Sequence, residues 1–279
     1  MSTHFSHPIT MIARRVGDVS IHTFISSFAD DNIADATHII ESRYQLILID
    51  GQFLAHYARA FRAYADKLKK PIARLYLTHT HPDHWYGLST AFRDVPIYAL
   101  PETKAIIEKH GQESRTQHLE KLGDQAPPAE LVVPTAIANL GTETLDGVQF
   151  VFSKVIDTET AFHLIIGLPQ LKVAVVQDLI YSGTHLYLTK NMVHWIQILG
   201  DMLLSEYDLF LAGHGVPADK NEVARNIEYL AAANQAIANG LKNNVLKDFM
   251  LQRYPDRKCP AIFDIYLPRL FDGVVDPMD

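Results

Sequence analysis

Three histidines and one aspartate fall within six positions of this chain, His79-Thr80-His81-Pro82-Asp83-His84. They follow directly on a short apolar run, Leu75-Tyr76-Leu77. Residues two apart on an extended backbone project to the same side, so His79 and His81 can reach one ion. Pro82 has a fixed φ and no N–H and therefore stops the extended run. Asp83 and His84 then point elsewhere, toward a second ion close by. Imidazole nitrogens and carboxylate oxygens are ligands that Zn²⁺ and similar borderline cations accept. A polar loop with chance histidines would not pack them this tightly behind an apolar strand.

The stretch resembles the HxHxDH signature of the metallo-β-lactamase superfamily of metallohydrolases. The resemblance implies an α+β fold, an αββα four-layer sandwich, here with extra C-terminal helices. It also implies where further ligands lie. The superfamily pattern places a His-Thr pair ahead of a small or amide residue and a strand ending near a proline. Laid on Asp157-Thr158-Glu159-Thr160-Ala161-Phe162-His163, it puts Glu159 where that histidine is expected and His163 at the small or amide position. A carboxylate there resembles the alkylsulfatase-type branch; Glu159 is favoured as the third ligand, with His163 the other candidate. Asp178, closing an apolar run from Lys172 to Gln177, resembles the aspartate that bridges two metals. Gly213-His214-Gly215 matches the last ligand of the second site, and its glycines let the backbone turn the imidazole inward. Asp50, before Gly51, is either a carboxylate bracing the metal loop or a simple turn residue.

The implied centre has His79, His81 and Glu159 on one ion, Asp83, His84 and His214 on the other, and Asp178 between them. Its cofactors would be two divalent ions, zinc first, with iron or manganese as alternatives. Two close cations bring the pKa of a shared water toward neutrality and polarise the bond under attack, which is hydrolytic chemistry. Asp83 and Asp178 are then the catalytic carboxylates, Asp83 able to accept a proton from the attacking water. The substrate would be a small ester, lactone, thioester or sulfate ester. His81 stands where flavodiiron relatives carry Glu, and Glu159 where persulfide oxygenases carry His. Leu179-Ile180-Tyr181 follows the bridging position without the cation expected of a β-lactam hydrolase. The other reading of the same fold is non-hydrolytic, an iron-dependent oxygenase or a metal-binding regulatory protein.

The elements that must position these residues read as strand, helix, strand. Ile9–Val16 and Val19–Ser26 alternate around Gly17-Asp18 as a hairpin, and Ala36–Glu41 and Gln45–Ile49 form a second strand pair. Leu54–Lys69 carries apolar residues at helical spacing up to Pro71, and Ile72–Leu77 is the buried strand that delivers the histidines. Leu88–Phe92 starts a short helix, Val95–Ala99 reads as a strand and Pro101–His110 as a helix. Gln112–Pro128 is polar and reads as an irregular insertion or cover, and Thr135–Leu145 as loop and turn. Val148–Val155 and Lys172–Gln177 are strands, and Leu209 opens another short strand that ends in His214; Val193–Leu204, Asn221–Leu241 and Val245–Arg253 are helices. We expect residues 1–220 to form the metallohydrolase domain and 221–279 a helical extension packed on it.

With 279 residues, 48% hydrophobic and 20% charged, the chain can bury a large core. A net charge of -7 argues against nucleic acid as a partner. Lys67, Lys69 and Lys70 cluster where cations complement a helix C-terminus. Cys259 is the single cysteine, so no disulfide framework exists. The first residues lack a signal-peptide pattern and no apolar stretch is long enough to span a bilayer, so a cytoplasmic protein without membrane contact is expected. The partner is a small-molecule substrate. Phe28, Phe53, Trp85, Tyr86, Phe162 and Tyr187 lie near the motifs, mostly as core, some as pocket wall. The apolar tail from Pro260 to Met278 is expected to pack on the domain or on the twin subunit of a homodimer rather than to meet a ligand.

Overall fold

Alternation of apolar residues on both faces of the strands builds two stacked sheets. The computed structural model describes residues 6–29, 33–274 and 278, without the side chains of 119 and 120. The first sheet holds β1 (Ile9–Val16), β2 (Val19–Ile25), β3 (Ala36–Glu41), β4 (Leu46–Ile49), β5 (Ile72–Tyr76), β6 (Ile97–Ala99) and β7 (Ala136–Ile137), in that order. β1 to β4 pair antiparallel, and β4 to β7 parallel. The parallel half needs crossovers, which α1 (Ala55–Lys67), α2 (Pro82–Trp85), α3 (Leu88–Ala91) and α4 (Pro101–Leu122) supply. The second sheet runs β12 (Leu209–Gly215), β11 (Val173–Ser182), β10 (Phe162–Leu168), β9 (Val148–Ile156) and β8 (Gly141–Leu145). α5 (Met192–Leu204), α6 (Lys220–Ala238), α7 (Asn243–Arg253) and α8 (Ile262–Phe271) complete the chain.

The four layers follow from three apolar clusters. Ile21, Ile40, Ile47 and Ile49 of the first sheet meet Phe152, Ile166, Val175 and others of the second in the central core. Leu48 and Leu75, on the other face of the first sheet, are covered by Tyr57 and Phe61 of α1 and by Trp85 and Ile107. Val176 and Ala212, on the outer face of the second sheet, are covered by α5 to α8 through Trp195, Leu230, Leu246 and Phe263. The expected αββα sandwich is therefore the observed one. Among the described residues no helix is long and apolar enough to cross a membrane.

Three expectations are corrected. The stretch after His110 is not irregular: α4 runs on through Gly111 to Leu122. A Cβ on Gly111 would meet Leu131 at 2.9 Å and Trp85 at 3.2 Å, so the glycine marks close packing rather than a break. On the same helix the buried Arg115 donates to the carbonyls of Tyr86 and Pro128, tying the following loop down. Thr135–Leu145 is not all loop, since it contains β7 and β8; both are short sheet-edge strands whose polar sequence carries no clear period. Asp178 does not close its strand, because β11 continues to Ser182.

One buried histidine fastens the two sheets below the expected site. His38 on β3 takes the Thr23 hydroxyl at 3.0 Å on Nδ1 and donates from Nε2 to the Ala212 carbonyl of β12 at 3.1 Å. Burial pushes its pKa from 6.5 down to about 4, so it stays neutral in the fold. In the unfolded chain it takes a proton below about pH 6.5. Its contribution is thus complete above that pH and fades as pH falls toward about 4. Urea titrations should show the unfolding midpoint of the native sequence dropping more steeply across this interval than that of His38→Gln. Parallel slopes would remove His38 as a source of acid sensitivity.

Candidate metal centre

The expected ligands gather at the same end of the two sheets, some on turns and some inside short regular elements. Past β5, His79 stays extended, and His81 at φ −64° and ψ 139° caps α2, with Pro82 at its first position. The single turn of α2 carries Asp83 and His84 round to the other side. Glu159 sits in the tight turn between β9 and β10, where Asp157 has φ 51° and the Thr158 N–H donates to the Thr160 carbonyl at 3.1 Å. Inside β11, Gln177 has φ 40° and the register against β12 slips around it. That bulge aims Asp178 toward the site while the strand continues beyond it. His214 lies near the end of β12 between two glycines that cannot carry side chains. A Cβ on Gly213 would stand 1.8 Å from Asp178 Oδ1, and one on Gly215, at φ +87°, would stand 1.9 Å from the Ser182 carbonyl oxygen.

The result is two groups sharing one residue. His79, His81, Glu159 and Asp178 bring one ligand atom each within 4.8 Å of one another, and so do Asp83, His84, Asp178 and His214. His81 Nδ1 is 3.0 Å from Glu159 Oε1, and His79 Nε2 is 3.5 Å from Asp178 Oδ2. His84 Nε2 lies 3.1 Å from Asp178 Oδ1, and His214 Nε2 lies 3.1 Å from Asp178 Oδ2 and 3.4 Å from Asp83 Oδ2. Six of these seven side chains are buried and Asp83 is half-buried. His163, the other candidate for the first group, stays outside it. Its ring stacks on His79 at 4.6 Å between centroids, neither of its nitrogens has a hydrogen-bond partner among the described residues, and burial lowers its pKa to about 4.

The ligand atoms face one another without being bonded to one another. His79 Nε2, His84 Nε2 and Asp178 Oδ1 are buried and lack a hydrogen bond among the described residues, although His84 and Asp178 are close enough for one. Orphaned acceptors are costly in a protein interior unless something cationic completes them. Convergent imidazole and carboxylate atoms around a common point are what a divalent ion requires, so the residues fit the metals that the motif implies.

The far sides of the rings are occupied, which leaves Nε2 as the inward atom on three histidines. His79 Nδ1 is 3.0 Å from the Thr78 hydroxyl, His84 Nδ1 is 2.8 Å from Asp50 Oδ2, and His214 Nδ1 is 2.7 Å from the Ile33 carbonyl. Such bonds fix tautomer and ring orientation. Asp50 is no simple turn residue: it also accepts from the Thr78 N–H and hydroxyl and, at 2.6 Å, from the Gln177 amide. Its backbone, at φ 59°, is held in the left-handed region. Asp50 therefore locks the histidine loop to the bulge that carries Asp178.

Tyr181 was not among the residues expected in the site. Its hydroxyl lies 3.3 Å from both Glu159 Oε1 and Asp178 Oδ2, and its ring stacks on His214 at 4.6 Å. A second slip of the register, between Gln177 and Tyr181, brings a residue three positions past Asp178 to the same face, and nothing in the local sequence announces it. Burial and the neighbouring Asp178 and Glu159 carboxylates hold its phenol well above the usual range, so it is a donor. Burial opposes charge on His84, but the carboxylates of Asp178, Asp83 and Asp50 outweigh it and raise its pKa well above the ordinary value. Burial and the charge on His84 together depress His79. Burial works against ionised Asp178 too, yet His84, His214 and His79 hold it well below the carboxylate range. Asp178 is thus held ionised among these rings.

Of the neighbouring aromatics, Phe53 and Tyr187 line the cavity over the centre, while Trp85 and Tyr86 belong to the core. His185 points away, bonded to the Tyr229 hydroxyl at 3.0 Å. The contact at Gly213 gives a direct test. Gly213→Ala must displace Asp178 and should lower the metal content of the purified protein, measured by elemental analysis. Gly200→Ala, in α5 with nothing within 4 Å of the added carbon, should keep its metal and gain up to about 1 kcal/mol of stability. Equal metal content in the two variants would contradict the shared role of Asp178.

A sequence profile described as the metallo-beta-lactamase superfamily matches residues 37–230. No curated relative matches the sequence. Among solved structures, the fold is similar to a metallo-beta-lactamase from Pontibacter korlensis, with TM-score 0.63, 17% identity and coverage of 80% of this chain and 99% of that one. It is similar to the metallo-beta-lactamase FIM-1 from Pseudomonas aeruginosa in its mono-zinc form, with TM-score 0.60, 17% identity and coverage of 80% and 96%. It is also similar to a metallo-beta-lactamase from Hirschia baltica, with TM-score 0.59, 17% identity and coverage of 79% and 97%. At such identities the likeness speaks for the fold alone. With the profile spanning most of the chain, the protein belongs to the metallo-beta-lactamase superfamily.

Proposed function

We propose that the protein is a dinuclear metal-dependent hydrolase of a small ester, lactone, thioester or sulfate ester. The observation that carries this reading is the sharing of Asp178 between two complete ligand groups. His79, His81 and Glu159 would hold the first ion, Asp83, His84 and His214 the second, and Asp178 both. Bound there, the two cations, zinc by preference, would supply an acidic water as nucleophile and a Lewis acid for the oxygen that gains charge.

The chain's own groups do the rest. Asp83 is the least buried of the seven and lines the cavity, so it is the carboxylate that can take the proton of the attacking water and return it to the leaving group. Asp178, held by the Tyr181 hydroxyl, is kept in the orientation that serves both groups. Tyr181 does the same for Glu159, which stands where a neutral histidine would leave the centre less negative. The cavity has a volume of about 410 Å³, suited to a small substrate.

Elemental analysis of the purified protein should find about two zinc ions per chain, falling toward one in Glu159→Ala. Chelation should abolish turnover of thioesters, lactones or alkyl sulfates, and zinc should restore it. Asp83→Asn should keep metal better than Glu159→Ala yet lose about 10²-fold or more in kcat. Iron as the resident metal with no ester turnover would replace hydrolysis by redox chemistry. A full metal complement with no turnover of any such bond would point to a regulatory protein.

A further inference from the structure

The stretch whose sequence reads as an irregular cover brings an imidazole to the cavity over the centre. His118 of α4 lines the cavity of about 410 Å³ that also reaches His81, Asp83, Asp178 and His214. Its ring is held by one nitrogen. Nδ1 lies 2.8 Å from the Ser114 carbonyl, one turn back on the helix, and 3.1 Å from the Tyr86 hydroxyl. A carbonyl oxygen can only accept, so Nδ1 carries the proton and the neutral ring keeps its lone pair on Nε2. Nε2 has no hydrogen-bond partner among the described residues. The half-buried ring also meets the Tyr86 ring edge to face, 5.6 Å between centroids at 81°.

Tyr86 is a firm support for it. Fully buried, it follows the turn that carries Asp83 and His84, and its N–H donates to the Pro82 carbonyl at 2.9 Å. Arg115 of α4 lies 5.0 Å over its ring and donates to its carbonyl at 3.2 Å. The helix and the metal turn therefore hold one another, which gives His118 a set place relative to Asp83. We propose that His118 is a specificity-determining residue whose Nε2 accepts a hydrogen bond from a hydroxyl or amide N–H carried by the substrate away from the scissile bond. The proposal rests on the hydrolase reading and adds a substrate feature to it. A lone pair repels a substrate carbonyl or carboxylate, so the group it selects is a donor. The wall around it includes Ile33, Phe53, Ile262 and Ile265, whose side chains offer no hydrogen bond, so one fixed acceptor among them discriminates between substrates. An analogue without the donor would cover Nε2 and leave it unpaired, which a site of this kind rejects.

Two pairs of p-nitrophenyl esters, matched in size, test this on the zinc-loaded protein at pH 8. One pair is the 3-hydroxybutyrate and the 3-methylbutyrate; the other is the N-acetyl-β-alanine ester and the 5-oxohexanoate. In at least one pair the native sequence should favour the donor-bearing ester in kcat/KM by about fivefold, the scale of one neutral hydrogen bond. Preference in the first pair assigns a hydroxyl, and in the second an amide N–H. In His118→Phe that preference should fall toward one, mainly through KM, while His118→Gln, whose side-chain oxygen accepts, should keep part of it. No preference in either pair, or one that survives in His118→Phe, would overturn the proposal. A loss equal for both members of each pair would make His118 a support for Tyr86 alone and overturn it too. If none of the esters is cleaved, the hydrolase reading fails, and calorimetry with the N-butyl amides of the same four acids still tests the contact. Tighter binding of a donor-bearing amide, lost in His118→Phe, would uphold it; equal affinities within both pairs would refute it.

Discussion

Lone pairs that converge in a dry interior repel one another, and this protein gathers seven such side chains at one end of its sandwich. The facing atoms satisfy one another only in part: His79 Nε2, His84 Nε2 and Asp178 Oδ1 are buried without a hydrogen bond among the described residues. The rest of the local structure answers that problem from behind. Asp50 takes four donors and holds His84 and the Thr78 backbone with two of its bonds. The Ile33 carbonyl and the Thr78 hydroxyl occupy the outer nitrogens of His214 and His79. Tyr181 sets its one hydroxyl proton between Glu159 and Asp178, 3.3 Å from an oxygen of each. With their outer atoms fixed, the inner atoms can only point at a common centre, and cations are the natural way to complete it.

Such a centre has to straddle two sheets, since the ligands come from both. His79, His81, Asp83 and His84 follow β5 of the first sheet, while Glu159, Asp178 and His214 belong to the second. Two backbone-level ties keep the halves from sliding. The Leu164 N–H of β10 donates to the Thr78 carbonyl at 2.9 Å, and His38 of β3 donates to the Ala212 carbonyl at 3.1 Å. The central apolar core then fixes the spacing of the sheets over their whole area. Shifting either sheet by an ångström would separate the two groups from Asp178, so the site's precision is a property of the sandwich rather than of any loop.

Glu159 alters the electrostatics of this arrangement. A third carboxylate makes the pocket more negative than one with a histidine in that place. The C-terminal helices are more than covering for the second sheet. They bury its outer face through Phe263 and Tyr266 and also bring Arg269 to the mouth of the centre.

The sequence by itself determined the fold and pointed to most of the candidate ligand groups, because both rest on short-range signals. Alternating strands around Gly17-Asp18, the helical spacing before Pro71 and the histidines packed behind Leu75-Tyr76-Leu77 are each local, and each appears in place. Residues whose role depends on contacts across the chain were decided by tertiary structure alone. Gly111 reads as a helix break until Trp85 and Leu131 are seen to need its missing side chain. The choice between Glu159 and His163 turns on which one faces Asp178 across the sheet. The contacts of Asp50 and Tyr181 depend on the irregular register of β11 against β12 on either side of Gln177. Strand and helix periods encode which residues are buried, but not which distant side chains meet, and this site is made of such meetings.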